Sequence, residues 1–321
     1  MKIIDFRSDT VTLPTDEMRQ SMFDAKVGDD VLEEDPTIQK LEQHAAQLLG
    51  KAAGLFVPSG TMGNLISFLV HCPRGTEALL GDKSHTFIYE AGGISAFGGI
   101  HSHQLSNNDD GTIEIEHIKS AVRNDNVHFP RTSLISLENT HNMCFGTPID
   151  ADYVTSVSDI AQENGLKVHI DGARIFNAAV ALNKTVKKLA KNADSITCCL
   201  SKGLSSPAGS LIMGNKDFIY KARYIRKALG GGMRQSGILA SAGIYSFDNM
   251  IERLEEDHSN AKLLAEGLSE IDEIKIDLTK IYTNIIFFYL KNTLIKDDEL
   301  ISHLLNNNIK IDSKGNRKFR M

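Results

Sequence analysis

The amino-acid sequence predicts an α/β fold in which helices cover a mainly parallel sheet. Along most of the chain, short apolar runs alternate with amphipathic stretches of helical period, which is the pattern of such a fold. After about Ser246 the pattern changes, and a long helical stretch precedes an apolar run. The length of 321 residues suffices for one large domain and one smaller domain. We therefore predict a large α/β domain followed by a small α+β domain.

The elements of the large domain follow from hydrophobic period and from residues that begin or end helices. Pro36 opens a predicted helix with one apolar face, and Gly50 is placed to end it. A second helix is predicted after the turn at 59–64, and a third at 154–164, which Gly165 ends. The predicted strands lie at 55–58, 78–80, 133–137, 166–170, 195–200 and 210–213.

The boundary between the two domains is predicted after residue 245. The large domain is then 1–245 and the small C-terminal domain 246–321. Within the small domain we predict a helix from 249 to about 269, a strand at 284–290 and a short helix around 298–305.

Composition excludes several classes of partner. The chain is 41% hydrophobic and 24% charged, with a net charge of −6, so a nucleic-acid or anionic-membrane partner is not expected. The longest apolar runs are too short to span a bilayer, and the first residues show no secretory signal. We expect a cytoplasmic protein.

Two polar residues follow predicted buried strands directly. Asp171 ends the run that begins at residue 166, and Lys202 follows the run at 195–200. Ligands of open α/β sheets bind at the carboxyl ends of such strands. A lysine that forms a Schiff base and a carboxylate that keeps a pyridine nitrogen protonated are what pyridoxal phosphate requires. The pair predicts an enzyme that uses this cofactor.

Two further segments are candidates for holding the cofactor phosphate. Ser59, Gly60 and Thr61 lie between a predicted strand and a predicted helix, where backbone N–H groups and the helix dipole attract an anion. The alternative is a plain turn with a helix cap. Arg234 ends a glycine-rich stretch and could bind a phosphate bidentately, or it could be a surface residue beside a hinge.

Histidines are the candidate acid–base residues. His85 follows the predicted strand at 78–80, so its imidazole could stack on a pyridine ring or move protons near neutral pH; the alternative is a capped surface histidine. His128 is a weaker candidate for the same work. The pairs His101/His103 and Asp109/Asp110 fit a solvated loop better than a metal site, and no metal is expected.

Seven segments of the chain resemble the threonine aldolases. They are Phe6-Arg-Ser-Asp-Thr-Val-Thr12, Val27-Gly-Asp-Asp-Val31, Val57-Pro-Ser-Gly-Thr-Met-Gly-Asn64, Glu138-Asn-Thr-His-Asn142, His169-Ile-Asp-Gly-Ala-Arg-Ile-Phe-Asn177, Leu200-Ser-Lys-Gly-Leu204 and Leu229-Gly-Gly-Gly-Met-Arg-Gln235. The resemblance runs in register from residue 3. It implies the aspartate-aminotransferase-like fold type I of pyridoxal phosphate enzymes, a homotetramer with active sites at subunit contacts, and cleavage of L-threonine or L-allo-threonine to glycine and acetaldehyde.

The resemblance also implies a role for each matching residue. Lys202 corresponds to the Schiff-base lysine, Asp171 to the partner of the pyridine nitrogen and His85 to the ring-stacking histidine. Gly60, Thr61 and Arg234 correspond to phosphate contacts, with Arg234 reaching a neighbouring subunit, and Ser59 stays a cofactor-binding candidate from its place before the helix. Ser8, Arg174 and Arg320 correspond to groups around the substrate carboxylate, Arg174 also bordering the cofactor. We hypothesise that His85 is the general base for the β-hydroxyl, with His128 second.

The chain departs from the family pattern twice. Leu32-Glu33 replaces the usual Tyr-Gly, and the chain stops at Met321, where relatives continue. The second departure predicts Arg320 on a fraying terminus, lower stability and weaker binding of the substrate carboxylate. Two alternatives stand beside aldol cleavage. One is a β-eliminating lyase, because the same cofactor apparatus serves both reactions, and the other, suggested by the missing tail, is a truncated chain with little or no catalysis. The preferred threonine epimer depends on which face of Cβ the base occupies, which the sequence does not specify.

Overall fold

Strands and helices alternate along the computed structural model, which describes residues 3–321. The strands are β1 (Ile4–Asp5), β2 (Ala53–Val57), β3 (Glu77–Gly81), β4 (His101–Leu105), β5 (Thr132–Glu138), β6 (Lys167–Asp171), β7 (Ser195–Cys199), β8 (Ser210–Gly214), β9 (Ile274–Ile276), β10 (Phe287–Leu290), β11 (Ile309–Lys310), β12 (Asp312–Ser313) and β13 (Lys318–Arg320).

The helices lie mostly between these strands. They are α1 (Asp16–Phe23), α2 (Pro36–Leu49), α3 (Gly60–His71), α4 (His85–Ile88), α5 (Gly93–Ala96), α6 (Ile115–Ala121), α7 (Ala151–Glu163), α8 (Ile175–Ala181), α9 (Val186–Ala190), α10 (Lys216–Ala228), α11 (Gly237–Asn249), α12 (Leu254–Ser269) and α13 (Asp297–Asn306). Short 3-10 helices occur at Asp9–Val11, Asp30–Leu32 and Leu278–Lys280. No helix within residues 3–321 is both long and apolar enough to cross a membrane.

A seven-stranded sheet in the order β2-β8-β7-β6-β5-β3-β4 forms the centre of the molecule. Strand β8 is antiparallel to both of its neighbours, and the pairs from β7 to β4 are parallel. Residues 200–209 join β7 to β8 without a helix, which suits an antiparallel pair, whereas parallel strands need longer crossovers. The predicted mainly parallel α/β sheet is confirmed.

Alternate residues of the central strands pack on opposite faces of this sheet. Phe56 joins one hydrophobic cluster, while its neighbours Leu55 and Val57 join another. In the same way Leu79 packs with the first cluster, and Leu80 packs with Phe68 of α3. Because successive strand side chains point to opposite faces, helices must cover both sides of the sheet. This explains why the strands are nearly continuous apolar runs.

Several predicted boundaries are confirmed, but three predicted starts are wrong: α7 begins at Ala151 and not at 154, β10 at Phe287 and not at 284, and α12 at Leu254 and not at 249. The helix from Pro36 ends before Gly50, which adopts a left-handed φ of 66°. The helix predicted to start at 249 does not: α11 ends at Asn249, and α12 begins only at Leu254. Glu255, Glu256 and Asp257 occupy the first turn of α12, where acidic side chains interact favourably with the helix dipole. These acidic residues therefore indicate the true start of α12 in the sequence.

The C-terminal part contains a four-stranded antiparallel sheet in the order β12-β13-β10-β9. Phe288 and Phe319 are buried on one face of it and stack with ring centroids 5.2 Å apart. Arg320 does not fray, contrary to the expectation from the sequence. It pairs with Phe287, its side chain is buried, and the backbones of Met321 and Ile286 exchange two hydrogen bonds of 2.9 Å. Sheet pairing with β10 therefore holds this residue in place.

Helix α11 continues through the predicted boundary at 245, and the N-terminal strand β1 pairs in parallel with β11. We propose to divide the chain after Asn249 and to count the first strand with the small domain.

Candidate active site

A cavity of about 180 Å³ lies at the carboxyl ends of β6 and β7. Five residues predicted from the sequence line it together: Gly60, Thr61, His85, Asp171 and Lys202. The sheet order explains this convergence, because β6 and β7 are adjacent and α3 begins where β2 ends. Asn64, Glu90, Ala173, Cys199 and Ser201 complete the lining.

Asp171 is held by hydrogen bonds to both carboxylate oxygens. Asn64 Nδ2 donates to Asp171 Oδ2 at 2.8 Å, and the backbone N–H of Ala173 donates to Oδ1 at 3.1 Å. Asn64 was not assigned a role from the sequence. A signal was available, because Asn64 follows Gly60 by four residues and so lies on the same face of α3.

A chain of buried polar groups fixes the orientation of the Asn64 amide. Its Oδ1 accepts from Thr197 Oγ1 at 2.9 Å and from His169 Nε2 at 3.2 Å. Burial lowers the pKa of His169 to about 3, so this ring is neutral, and its one N–H serves Asn64 while Nδ1 accepts from Ser195 Oγ at 2.8 Å. Asn64 therefore presents its NH₂ group to the cavity side.

His85 lies at the first position of α4 and is anchored by two carboxylates. Its backbone N–H donates to Glu138 Oε2 at 2.6 Å, and its Nδ1 lies 2.8 Å from Glu90 Oε1. Burial alone would lower the pKa of His85, but the hydrogen bond with Glu90 and the negative charges of Asp171 and Glu138 outweigh it and raise the pKa. With Nδ1 engaged by Glu90, Nε2 is the ring atom left for chemistry.

Glu90 connects His85 to the aspartate. Its Oε1 also accepts from Asn64 Nδ2 at 2.9 Å, so one amide group bridges two buried carboxylates. His85, Glu90 and Asp171 bring one ligand atom each within 4.8 Å of one another, a spacing that could hold a metal ion. We still propose that no metal is needed, because Asn64 and the imidazole already satisfy these carboxylates.

The start of α3 is shaped to receive an anion. Ser59 caps the helix by accepting from the backbone N–H of Met62 at 3.2 Å, and Gly60 and Thr61, in the first turn of α3, line the cavity. A Cβ at Gly60 would lie 2.7 Å from Cys199 Sγ, so a larger residue here would have to displace that side chain. The nearby Ser210 Oγ is buried and has no hydrogen-bond partner. An amine, a carboxylate and an anion cradle in one cavity fit pyridoxal phosphate.

Arg174 is paired with an aspartate that the sequence did not identify. Its Nε and one terminal nitrogen each donate to Asp9 at 2.6 Å, and the two side chains are only 5% and 6% exposed. Burial alone would raise the pKa of Asp9, but the charge and hydrogen bonds of Arg174 outweigh it and hold this pKa far below its usual range. Asn284 Nδ2 donates to the same carboxylate at 3.2 Å.

A second cavity of about 340 Å³ is lined by Ser8, Asp9 and Arg320, among others. Arg320 is buried and its Nε has no hydrogen-bond partner. Within residues 3–321 its guanidinium makes one hydrogen bond, a 3.4 Å contact of Nη1 with the carbonyl of Arg7. Burial, together with the charge of Arg174, lowers its pKa to about 10. A buried guanidinium with an unpaired Nε donor favours an anionic partner, and a substrate carboxylate is one.

Four predicted residues are absent from the lining of these two cavities: Ser59, Arg174, His128 and Arg234. Ser59 and Arg174 directly neighbour the lining residues Gly60 and Ala173, whereas the other two are exposed. His128 is exposed on the loop before β5. Arg234 is 60% exposed and pairs with Asp29 at 2.9 Å. Of the Leu32-Glu33 departure, Leu32 is exposed and Glu33 adopts a left-handed φ of 59°, the conformation that glycine adopts most easily. The usual glycine of the family pattern suits this position.

Comparisons with known proteins add to this geometry. Residues 5–293 match the model of a family described as "Beta-eliminating lyase". The chain is 51% identical over 290 residues to the "Probable low-specificity L-threonine aldolase 2" of Arabidopsis thaliana, covering 89% of this chain and 82% of that protein. It is 46% identical over 285 residues to the "Low specificity L-threonine aldolase" of Escherichia coli, covering 89% and 84%.

Solved structures confirm the fold. The "Leishmania major Threonine Aldolase" superposes with a TM-score of 0.83 at 21% identity, covering 99% of this chain and 93% of that one. A "PLP-dependent aminotransferase" from Streptococcus suis superposes with a TM-score of 0.76 at 15% identity, covering 100% and 88%. The predicted aspartate-aminotransferase-like fold is thereby confirmed.

Proposed function

Because the chain belongs to the β-eliminating lyase family and is 51% and 46% identical to two low-specificity threonine aldolases, we propose that it cleaves L-threonine and L-allo-threonine to glycine and acetaldehyde. The single observation that carries this proposal is the convergence of Lys202, Asp171 and the start of α3 on one cavity. Pyridoxal phosphate, the cofactor of this family, supplies the electron sink for the bond that breaks.

The cavity residues would divide the work of holding the cofactor. Lys202 would bind its aldehyde carbon covalently, and Asp171, fixed by Asn64, would keep the pyridine nitrogen protonated. The backbone N–H groups at Gly60 and Thr61 would bind the phosphate. His85 would lie against the ring face.

Substrate orientation would come from the arginines. Arg320 and Ser8, which line the second cavity, would hold the carboxylate and so set the torsion about the Cα–Cβ bond that must break. Arg174, paired with Asp9 of the same cavity, would add its positive charge. His85 Nε2, left free by the bond between Nδ1 and Glu90, would take the proton of the β-hydroxyl. His128 is exposed in this chain, so it would serve as the base only in an active site that a neighbouring subunit helped to form.

The test is a glycine-release assay of the purified protein with L-threonine and L-allo-threonine. We expect equal amounts of glycine and acetaldehyde, no product from Lys202→Ala, and a rate ratio that gives the epimer preference. Pyruvate or another 2-oxo acid together with ammonia would instead establish β-elimination. A protein that binds the cofactor but shows no absorbance change on adding glycine would establish the non-catalytic alternative.

We also propose a cytoplasmic homotetramer. The exposed position of Arg234, away from the cavity of its own chain, supports a role in a neighbouring subunit's phosphate site. Light scattering measures the mass of the assembly. Arg234→Ala should weaken cofactor binding without changing the monomer fold, and unchanged cofactor affinity in a tetramer would contradict this role.

A further inference from the structure

One face of the C-terminal sheet carries a row of lysines and aromatic rings. The register places Lys275, Tyr289 and Lys318 directly opposite one another on β9, β10 and β13. Directly opposed residues of antiparallel strands project to the same face, and the alternate residues, such as Phe288 and Phe319, form the apolar core of the other face. The row therefore faces away from the core of the small domain.

This face forms one wall of a cleft of about 510 Å³, separate from the Lys202 cavity. The opposite wall belongs to the large domain and includes Lys83 and Phe145. The Lys280 ammonium lies 4.7 Å from the centroid of the Phe145 ring. The Lys318 ammonium lies 4.4 Å from the centroid of Phe287 and 5.5 Å from that of Phe145. Cation–π contacts thus hold the ammonium groups inside the cleft.

The cleft has an excess of positive charge. Four lysines, Lys83, Lys275, Lys280 and Lys318, line it with two aspartates, Asp109 and Asp277. Asp109 pairs with Lys280 at 2.7 Å. Lys83 Nζ donates to the carbonyl of Asn107 at 3.2 Å, and within residues 3–321 neither Lys83 nor Lys318 has a carboxylate within ion-pair distance.

Lys318 shows the consequence of this arrangement. It is half-buried, and burial, with the positive charges of Lys83 and Lys280, lowers its pKa. Within residues 3–321, only Lys280 of these three lysines has a carboxylate partner, so the ammonium groups of Lys83 and Lys318 leave a position where an anion would be stabilised.

We propose that this cleft binds a small phosphate-bearing anion. Lysine ammonium groups bind phosphate as point charges, and the cleft volume lies within the range of small-molecule sites. The Lys318 ammonium lies over the rings of Phe145 and Phe287 and its side chain is half-buried, and reduced exposure to water strengthens its attraction for an anion. Because Lys83 precedes His85 by two residues and Lys318 precedes Arg320 by two, the bound anion would bridge the segments that carry both residues.

Calorimetric titration of pyrophosphate into the cofactor-saturated protein, at constant ionic strength, tests the proposal. We expect saturable binding that weakens at least about tenfold, or ~1.4 kcal/mol, in the Lys83→Gln/Lys318→Gln variant. The matched variant Lys119→Gln/Lys216→Gln, with two exposed lysines on α6 and α10, should bind as the unchanged protein does. Absent binding, or binding that is lost in Arg320→Lys but kept in Lys83→Gln/Lys318→Gln, would overturn it.

A second measurement avoids reliance on a variant that fails to fold. Reductive methylation of the unchanged holoenzyme, read by peptide mass spectrometry, reports the reactivity of each lysine. Pyrophosphate should protect Lys83 and Lys318 and leave Lys119 reactive. Equal modification with and without pyrophosphate would contradict the proposal. Inorganic phosphate and glycerol phosphate, compared with pyrophosphate, distinguish a free phosphate ligand from a phosphorylated metabolite.

Discussion

At the scale of single residues, the candidate site depends on an asparagine and a glutamate. The Asn64 amide donates to Asp171 and to Glu90, and Glu90 in turn holds the His85 ring. The carboxylate for the pyridine nitrogen and the candidate base are therefore parts of one hydrogen-bonded network. Changing one member should alter the others.

Replacing Glu90 with glutamine tests this network. The change removes a negative charge beside His85, so the pKa of His85 should fall, since Glu90 helps to raise it. If His85 acts unprotonated, the rising limb of the pH–rate profile should move to lower pH. We expect kcat to fall by roughly tenfold to a hundredfold, because displacing a catalytic group by about 1 Å suffices for the larger loss. NMR titration of the His85 ring measures the pKa directly.

The control is Glu116→Gln, which removes a glutamate exposed on α6 and paired only with Lys119. It should leave both the His85 titration and the rate unchanged. An unaltered His85 pKa in Glu90→Gln would contradict the role given to Glu90.

At the scale of elements, the start of helix α3 contributes both to the stability of the protein and to the proposed binding of an anion. Its N-cap Ser59, Gly60 and Asn64 all lie within six consecutive residues at the start of the helix. The helix dipole and the free N–H groups at this end attract an anion. Helix α3 runs from Gly60 to His71, which is long enough to have such a dipole.

Ser59→Ala should remove the cap that accepts from the Met62 N–H. We expect the free energy of unfolding to fall by about 1 kcal/mol and the cofactor to bind more weakly. Urea denaturation and cofactor titration measure the two effects. Ser156→Ala, which removes an exposed hydroxyl bonded to a backbone carbonyl within α7, is the control and should be close to neutral. A stable Ser59→Ala protein with unchanged cofactor affinity would refute the cap's role.

At the scale of the whole molecule, the first residues of the chain connect distant parts of the structure. Strand β1 pairs with β11 of the small domain, and Asp9, only a few residues later, pairs with Arg174 next to β6. Asn284, before β10, donates to the same aspartate. The N-terminal segment thus holds the small domain against the large one beside the second cavity.

Asp9→Asn should destabilise the protein by about 3–5 kcal/mol, because it leaves the Arg174 guanidinium buried without its partner. The pH dependence has a definite sign. The pKa of Asp9 is depressed by folding, so its contribution is present above the carboxyl's ordinary pKa, about 3.9, and is lost as pH falls below it. Urea denaturation between pH 3 and 7 measures both effects, and Asp9→Asn should show the shallower acid loss.

Asp24→Asn provides the control, since Asp24 is exposed after α1 and accepts only from Gln20. If Asp9→Asn unfolds with the same free energy as the unchanged protein, the link between the domains lies elsewhere.

Much of this protein follows from local sequence. Apolar runs fixed the positions of β3, β5, β6, β7 and β8 to within about a residue or two. Local residues also ended α2 at Gly50 and capped α3 at Ser59. Asp171 and Lys202 were found because a polar residue after a buried strand is a local pattern, and the position of such residues at a sheet edge follows from parallel pairing.

Tertiary structure alone decided which distant residues meet. Asn64 and Asp171 lie 107 positions apart, and Asp9 and Arg174 lie 165 apart, so no periodicity connects them. The antiparallel placement of β8, the burial of Arg320 in a sheet and the lysine-lined cleft also arise from pairing between remote segments. Helical period and capping depend on neighbouring residues and are visible in the sequence. Hydrogen bonds and ion pairs between remote side chains depend on the folded arrangement, and the structure is needed to find them.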